Sequence, residues 1–257
     1  MPILQDNIPE LDSMKKYPET INYKGNLKLL MRKKVSIVGT RHPNNYTKQM
    51  TQKIASGLAL QGICIVSGGA MGVDALAHRS AGMQNTIMVA GTGIDVRYPK
   101  INAGMIENIE DDGLVLSQFP TAAKSNRYNF PLRNELVVAL GDILIVTQAD
   151  MDSGTMRSVE YALKMGKEVF VLSHRVGESE ATNLLLQEGK AKPIYNIESF
   201  VKTYTGVQNI GDTKDDFLLY CASNPSYEDA LKKYPDKIFE AELNGTIEIK
   251  EAIIYAL

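Results

Sequence analysis

The sequence predicts an α/β protein whose parallel sheet is covered by helices on both faces, followed by a small C-terminal module. Three observations carry this. From residue 35 onward, short apolar runs alternate with helical stretches of about ten residues or more. The runs are apolar throughout, as in strands buried on both faces, and do not alternate with polar residues. Loops of small residues follow several of the strands, as at the binding edge of a doubly wound sheet.

Residues 1–31 read as an irregular lead-in packed on the main domain, broken at Tyr17-Pro18 and Lys24-Gly25-Asn26. Residues 32–204 are the main domain. Val35-Ser36-Ile37-Val38 is its first strand and ends at Gly39. A helix over 45–61 follows, with Met50, Ile54, Leu58 and Ala59 at helical spacing. Strand 63–66, helix 72–81, strand 86–90, helix 101–110 and strand 114–117 come next. A loop over 118–129 leads to helix 131–140, strand 143–147, helix 154–165, strand 169–172 and helix 181–187. Ile194-Tyr195 and a helix near 197–204 close the domain. Residues 205–213, rich in Gly, Asn and Asp, read as a linker. In residues 214–257, three short helical stretches precede an Asn244-Gly245 turn. Thr246-Ile247-Glu248-Ile249 then begins a hairpin, so a winged-helix-like module is expected.

Composition narrows the function. With 44% hydrophobic and 23% charged residues, the 257-residue chain reads as a soluble globular protein. No run approaches the ~20 apolar residues of a membrane span, and the first residues lack a signal peptide's basic and apolar regions. A cytosolic protein without a membrane partner is expected. The two cysteines, Cys64 and Cys221, exclude a disulfide framework, and Cys64 reads as a buried strand residue. His42, His78 and His174 have no metal-ligand spacing. Net charge is −2, unevenly spread: residues 32–211 balance at +3 and residues 212–257 at −5.

Chemistry concentrates in the small-residue loops. Gly39-Thr40-Arg41 follows the first strand. Ser67-Gly68-Gly69-Ala70-Met71-Gly72 follows the second, Gly91-Thr92-Gly93 the third, and Asp152-Ser153-Gly154-Thr155 the strand over 143–147. In a parallel sheet these loops share one edge. Glycine lets backbone approach a phosphate, helix-start N–H groups favour negative charge, and Thr40, Ser67, Ser153 and Thr155 add hydroxyls. The spacing of Gly68, Gly69 and Gly72 is not GxGxxG, and there is no Walker A motif, so no cofactor is expected. Several anion sites in a row suit a nucleic-acid backbone.

Arg41, Lys48, Arg127, Tyr128, Phe130 and Arg133 lie beside these loops, and alternating charge and stacking is the logic of single-strand binding. Phe130-Pro131 can also staple a helix start, and Arg133 can pair with Glu135 or Asp142. Asp74 and His78, four apart on one helix face, read either as an acid–base pair or as fixing local geometry.

At these residues the sequence resembles the DprA/Smf family. Ser36-Ile37-Val38-Gly39-Thr40-Arg41 resembles its first-strand motif, and the block from Ser67 through Asp74 to His78 resembles its SGxAxGIDxxAH block. Phe130-Pro131-Leu132-Arg133-Asn134 resembles FPxRN, and Ser153-Gly154-Thr155 resembles its SGS/T loop. The resemblance covers residues 17–200. It implies an extended Rossmann-like fold that binds and shields single-stranded DNA and loads RecA recombinase during natural transformation, as a homodimer without catalysis. It implies DNA contacts at Arg41, Gly68, Gly69, Arg127 and Phe130. Longer members carry an N-terminal helical module that this sequence is expected to lack, and Arg133-Asn134-Glu135 stands where many read RNR. With Gly39, Thr40, Lys48, Ser67, Ala70, Gly72, Arg133, Ser153, Gly154 and Thr155, these residues form the expected DNA-binding set. Two alternatives stand beside this reading. One is a nucleotide phosphoribohydrolase of the same architecture, for which Glu160 lies beyond the expected carboxylate position. The other is a carrier of a phosphorylated small molecule.

Overall fold

The computed structural model describes residues 2–206, 216–221, 224–235, 237–243, 246–250 and 252–256. Seven strands run parallel: β2 (Lys34–Val38), β3 (Cys64–Ser67), β4 (Thr86–Val89), β5 (Leu114–Ser117), β6 (Ile143–Val146), β7 (Val169–Val171) and β8 (Lys192–Pro193). An eighth, β1 (Asn22–Gly25), pairs antiparallel with β5. The order across the sheet is β1-β5-β4-β3-β2-β6-β7-β8.

Two expectations are corrected. The lead-in is not irregular throughout, because residues 22–25 form the edge strand β1. An edge strand covered mainly on one face needs no continuous apolar run, so Asn22-Tyr23-Lys24-Gly25 carries little strand signal. The last strand falls on Lys192-Pro193, just before Ile194-Tyr195. Proline is tolerated there because an edge strand pairs on one side only.

Helices α1 (Asn45–Leu60), α2 (Val73–Ala81) and α3 (Ala103–Asp112) follow β2, β3 and β4. Helices α4 (Asn129–Leu140), α5 (Gly154–Lys164), α6 (Glu180–Gln187) and α7 (Ile197–Thr205) complete the set. The chain steps outward from β2 to β5, then crosses back and steps the other way from β6 to β8. Right-handed crossovers therefore put α1–α3 and α5–α6 on opposite faces. The core shows this division. Val35, Ile37, Ile65 and Ile145 pack with Ile54 and Leu58 of α1, Val73 of α2 and Val201 of α7. Val38, Val66, Leu144 and Val146 face the other way, toward Leu136 and Val138 of α4, Val159 of α5 and Leu185 of α6. Met105, Ile106 and Ile109 of α3 pack with Met88 and Val115. Each such side chain contributes roughly 1.5–3 kcal/mol on full burial, so neither face can be left bare.

The chain divides into two compact units, Met1–Thr205 and Gly206–Leu257. Thr205 of the expected linker ends α7, and residues 207–213 lie outside the described ones. The second unit has helices α8 (Asp216–Cys221), α9 (Tyr227–Lys233) and α10 (Ile238–Leu243), then strands β9 (Ile247–Lys250) and β10 (Ile253–Ala256) as an antiparallel hairpin. Its core joins Phe217, Cys221, Ala230, Ile238, Ile247 and Ile254. The expected Asn244-Gly245 turn lies outside the described residues.

Candidate nucleic-acid interface

The sheet reverses its winding between β2 and β6. There the loops after the two strands diverge and open a crevice at their carboxyl ends, the usual ligand position in doubly wound sheets. A cavity of about 440 Å³ occupies it, lined by Gly39, Thr40 and Arg41 on one side and Ser153, Gly154 and Thr155 on the other. Ala70, Phe130, Arg133 and Asn134 complete the wall. Nine residues of the sequence-expected set thus meet in one crevice.

The loops are braced to one another. The Thr40 amide donates to the Gln148 carbonyl at 2.9 Å, and the Val73 amide donates to the Thr40 carbonyl at 3.1 Å. Gly72 has φ +79°, and a Cβ there would strike the Thr40 and Arg41 backbone. Glycine is required there by both conformation and contact. Ser153 precedes α5, its side chain caps none of the helix N–H groups, and its Oγ is buried without a partner. The Met156 amide donates to the Ser153 carbonyl at 3.1 Å, so α5 presents the positive end of its dipole and the amides ahead of Met156 to the crevice.

Arg133 forms the floor. It is only 5% exposed, with Nη1 donating to the Val89 carbonyl at 3.3 Å and standing 4.0 Å from the Asp74 carboxylate. Its Nε has no hydrogen-bond partner. A Cβ at Gly68 would land on the guanidinium, so the glycine loop lies directly over this charge. Burial pulls Arg133 below its ordinary pKa, Asp74 opposes that, and Arg41 adds to the lowering. Burial likewise raises the Asp74 carboxyl, against Arg133 and the amides of Ala70 and Gly68. The pair is loosely matched, with Nη1 4.0 Å from the Asp74 carboxylate.

Phe130 divides this crevice from a narrower slot of about 40 Å³, lined by Gly68, Met71, Gly91, Tyr98 and both Arg41 and Arg133. Its ring lies 6.0 Å from that of Tyr98, with the guanidinium carbons of Arg41 and Arg133 each 6.0 Å away. A Cβ on Gly91 would come within 2.9 Å of the Phe130 ring, which is why the ring can sit so low.

Other expected residues fall elsewhere. The Ser67 hydroxyl is fully buried and donates to the Ile37 carbonyl at 2.6 Å. Gly69 packs on Met88, where a Cβ would come within 2.5 Å of the sulfur. Lys48 and Arg127 are exposed and line neither cavity. Arg127 instead donates to the Tyr128 hydroxyl at 2.6 Å and lies 4.8 Å over its ring. Arg133 pairs with neither alternative from the sequence: Glu135 accepts from the Lys15 amide, and Asp142 from the Tyr204 hydroxyl. Asp74 and His78 do not form an acid–base pair either. Asp74 accepts from the Ala70 amide at 3.3 Å, while His78 Nδ1 meets Thr86 Oγ1 at 2.6 Å. Both fix local geometry. Helix α4 starts at Asn129, so Phe130 and Pro131 lie inside it and not at an expected start of 131. The structure adds Tyr98, Met71 and Asn134 to the walls. Met71 and Asn134 lie within motifs the sequence displays, whereas Tyr98 lies in none of them.

Cys64 is buried in β3, and burial pushes its thiol up to about 12, so it is a packing residue. No group of three His, Cys, Asp or Glu able to hold a metal occurs among the described residues. No helix among them is long and apolar enough to cross a membrane.

Known proteins resemble this chain in sequence and fold. Residues 3–205 match the DNA recombination-mediator protein A family. The DNA processing protein DprA of Streptococcus pneumoniae is 38% identical over 193 residues, 73% of this chain and 68% of that protein. Protein Smf of Synechocystis sp. is 40% identical over 153 residues, 59% of this chain but only 38% of the relative's length. Among solved structures, DNA processing protein A from Helicobacter pylori, which binds single-stranded DNA, superimposes with a TM-score of 0.78 at 40% identity. That match covers 80% of this chain and 95% of the other. The Streptococcus pneumoniae DprA structure gives 0.73 at 34% identity, covering 79% and 73% of the two chains.

Proposed function

Because the chain belongs to the DNA recombination-mediator protein A family, we propose that it binds and shields single-stranded DNA and loads RecA recombinase onto it during DNA uptake. The observation that carries this reading is the switch-point crevice. It joins the exposed Arg41, the buried Arg133, the start of α5 and the Phe130 ring around one cavity. Phosphates are held by the charge and the free amides, and a base stacks on Phe130. Arg133 acts from beneath the glycine loop, through its field. Ser67, Gly69 and Gly72 shape the loop and do not offer side-chain contacts.

The protein acts in the cytosol as a homodimer and without catalysis. Glu160, the nearest candidate carboxylate for a hydrolase, is exposed on α5 and absent from both cavity walls. The second unit is a winged-helix-like module that contacts protein, since its −5 balance repels a duplex.

The test is a fluorescence-anisotropy titration into labelled oligothymidine and a matched duplex at two salt concentrations. Preferential binding to the single strand, weakening as salt rises, is expected. Absence of binding to either strand form by folded protein removes the proposal and redirects the search to nucleotide hydrolysis or a small phosphorylated ligand.

A further inference from the structure

Beyond the crevice, the same sheet edge continues past β6 to β7 and carries a second concavity. It has a volume of about 570 Å³ and is lined by Asn44, Asn45, Tyr46, Ser173, His174, Arg175 and Glu178. It shares no lining residue with the crevice, but the short stretch from Arg41 to Asn44 joins their walls. The volume falls within the range of small-ligand sites.

The loop after β7 that forms one wall has no regular structure, yet it is held by a network. His174 Nε2 donates to the Thr147 carbonyl at 2.8 Å. Asn183 accepts from the His174 amide at 3.2 Å and donates to the carbonyls of His174 and Glu178, each at 3.2 Å. Ser179 Oγ accepts from the Ala149 amide at 2.9 Å. Across the cavity, Asn44 Oδ1 accepts from the Thr47 amide at 2.8 Å, and the Asn44 amide donates to Gln148 Oε1 at 3.0 Å. The loops after β2, β6 and β7 are therefore tied together. The cavity is preorganised, which lowers the ordering cost of any ligand.

Its surface has the parts a nucleotide needs. Tyr46 is 42% exposed, and His174 meets its ring edge-on at 5.5 Å, which holds the tyrosine in place and leaves ring surface open. Arg175 is exposed at the rim and Glu178 lies on the same loop. A carboxylate repels phosphate and accepts from the N–H that every base carries on its pairing edge. The base thus faces Glu178 and Tyr46, and the phosphate faces Arg175.

We propose that this cavity is a further nucleotide subsite, where a single strand leaving the switch-point crevice stacks a base on Tyr46 and sets a phosphate against Arg175. From β4 to β7 the edge crosses four strand spacings, roughly 19 Å, enough for several nucleotides in one path. This inference rests on the single-strand reading above.

The test compares an oligothymidine of about four residues with one of about sixteen, the range of single-strand site sizes. The full-length protein and its Tyr46→Ala, Tyr46→Phe and Arg175→Gln variants are each titrated by anisotropy. Tyr46→Ala is expected to weaken the long strand by at least about 5-fold while leaving the short one little changed. Tyr46→Phe, which keeps the ring, restores binding. Arg175→Gln reduces the slope of log K against log salt on the long strand by about 0.7, one phosphate's worth for a single strand. If the wild type binds both strands and all three variants follow it, the subsite is wrong and the crevice stands. If the wild type binds neither, the single-strand reading itself fails and the subsite falls with it.

Discussion

His78 shows how one residue can look catalytic in sequence and prove structural. Thr86 Oγ1 donates its single hydrogen to the Ile65 carbonyl at 2.8 Å, so it can only accept from the imidazole. The proton therefore sits on Nδ1, and Nε2 is left as a buried lone pair without a partner. Burial, with help from the Arg133 charge, pushes the His78 pKa down to about 3. An unfolded chain takes up this proton near 6.5. The unfolded state therefore binds more protons between about 6.5 and about 3, and its share grows as pH falls through that window. The neutral-histidine contribution is complete above 6.5 and declines below it. Thermal melts should show a falling Tm between about pH 7 and 5, with a shallower fall in His78→Gln. Equal slopes in both proteins would assign the acid sensitivity to other groups.

At the scale of elements, the crevice depends on where helices begin. Helix α5 starts directly after Ser153 without a side-chain cap, which leaves the amides ahead of Met156 without a side-chain acceptor. Helix α4 starts at Asn129 and carries Phe130 and Arg133 one turn apart. One residue therefore makes the aromatic partition and the other the buried charge. The loop from β2 supplies Arg41 on the opposite wall. Arg41→Ala and Phe130→Ala should each weaken single-strand affinity, Phe130→Ala by roughly 1–3 kcal/mol for the lost stacking contact. Unchanged affinity in both variants, read by anisotropy, would take these residues out of the site. Arg41→Ala should also flatten the salt dependence, whereas Phe130→Ala should leave its slope intact.

At the scale of the molecule, charge is divided between two compact units. The residues up to 211 balance at +3 and those from 212 at −5, so a net charge of −2 hides a mildly basic first part. Every residue lining the crevice, the slot and the β7 cavity belongs to the first unit. Removing residues 212–257 should therefore leave single-strand binding largely intact, with the remaining domain folded as judged by circular dichroism. A large loss of affinity in a folded truncation would contradict this division of labour.

The alternation of apolar runs and helical stretches sufficed to predict the parallel sheet, because strands buried on both faces must be apolar along their whole length. The glycine loops likewise marked the edge where the crevice lies, because close backbone approach excludes a Cβ wherever the loops meet. Edge strands escaped this reading: β1 and β8 are covered less fully, so Asn22-Tyr23-Lys24-Gly25 and Lys192-Pro193 carry no comparable pattern. The partners of Arg133, Asp74 and His78 could not be read either, since side chains far apart in sequence compete for them and only the packed chain selects one. The cavity at Tyr46 and His174 depends on three loops brought together by β2, β6 and β7, a neighbourhood fixed by strand order. Local sequence determined which segments pack and where the backbone must come close. Tertiary structure decided which charges are buried together and which aromatic faces stay open, because both depend on contacts between distant parts of the chain.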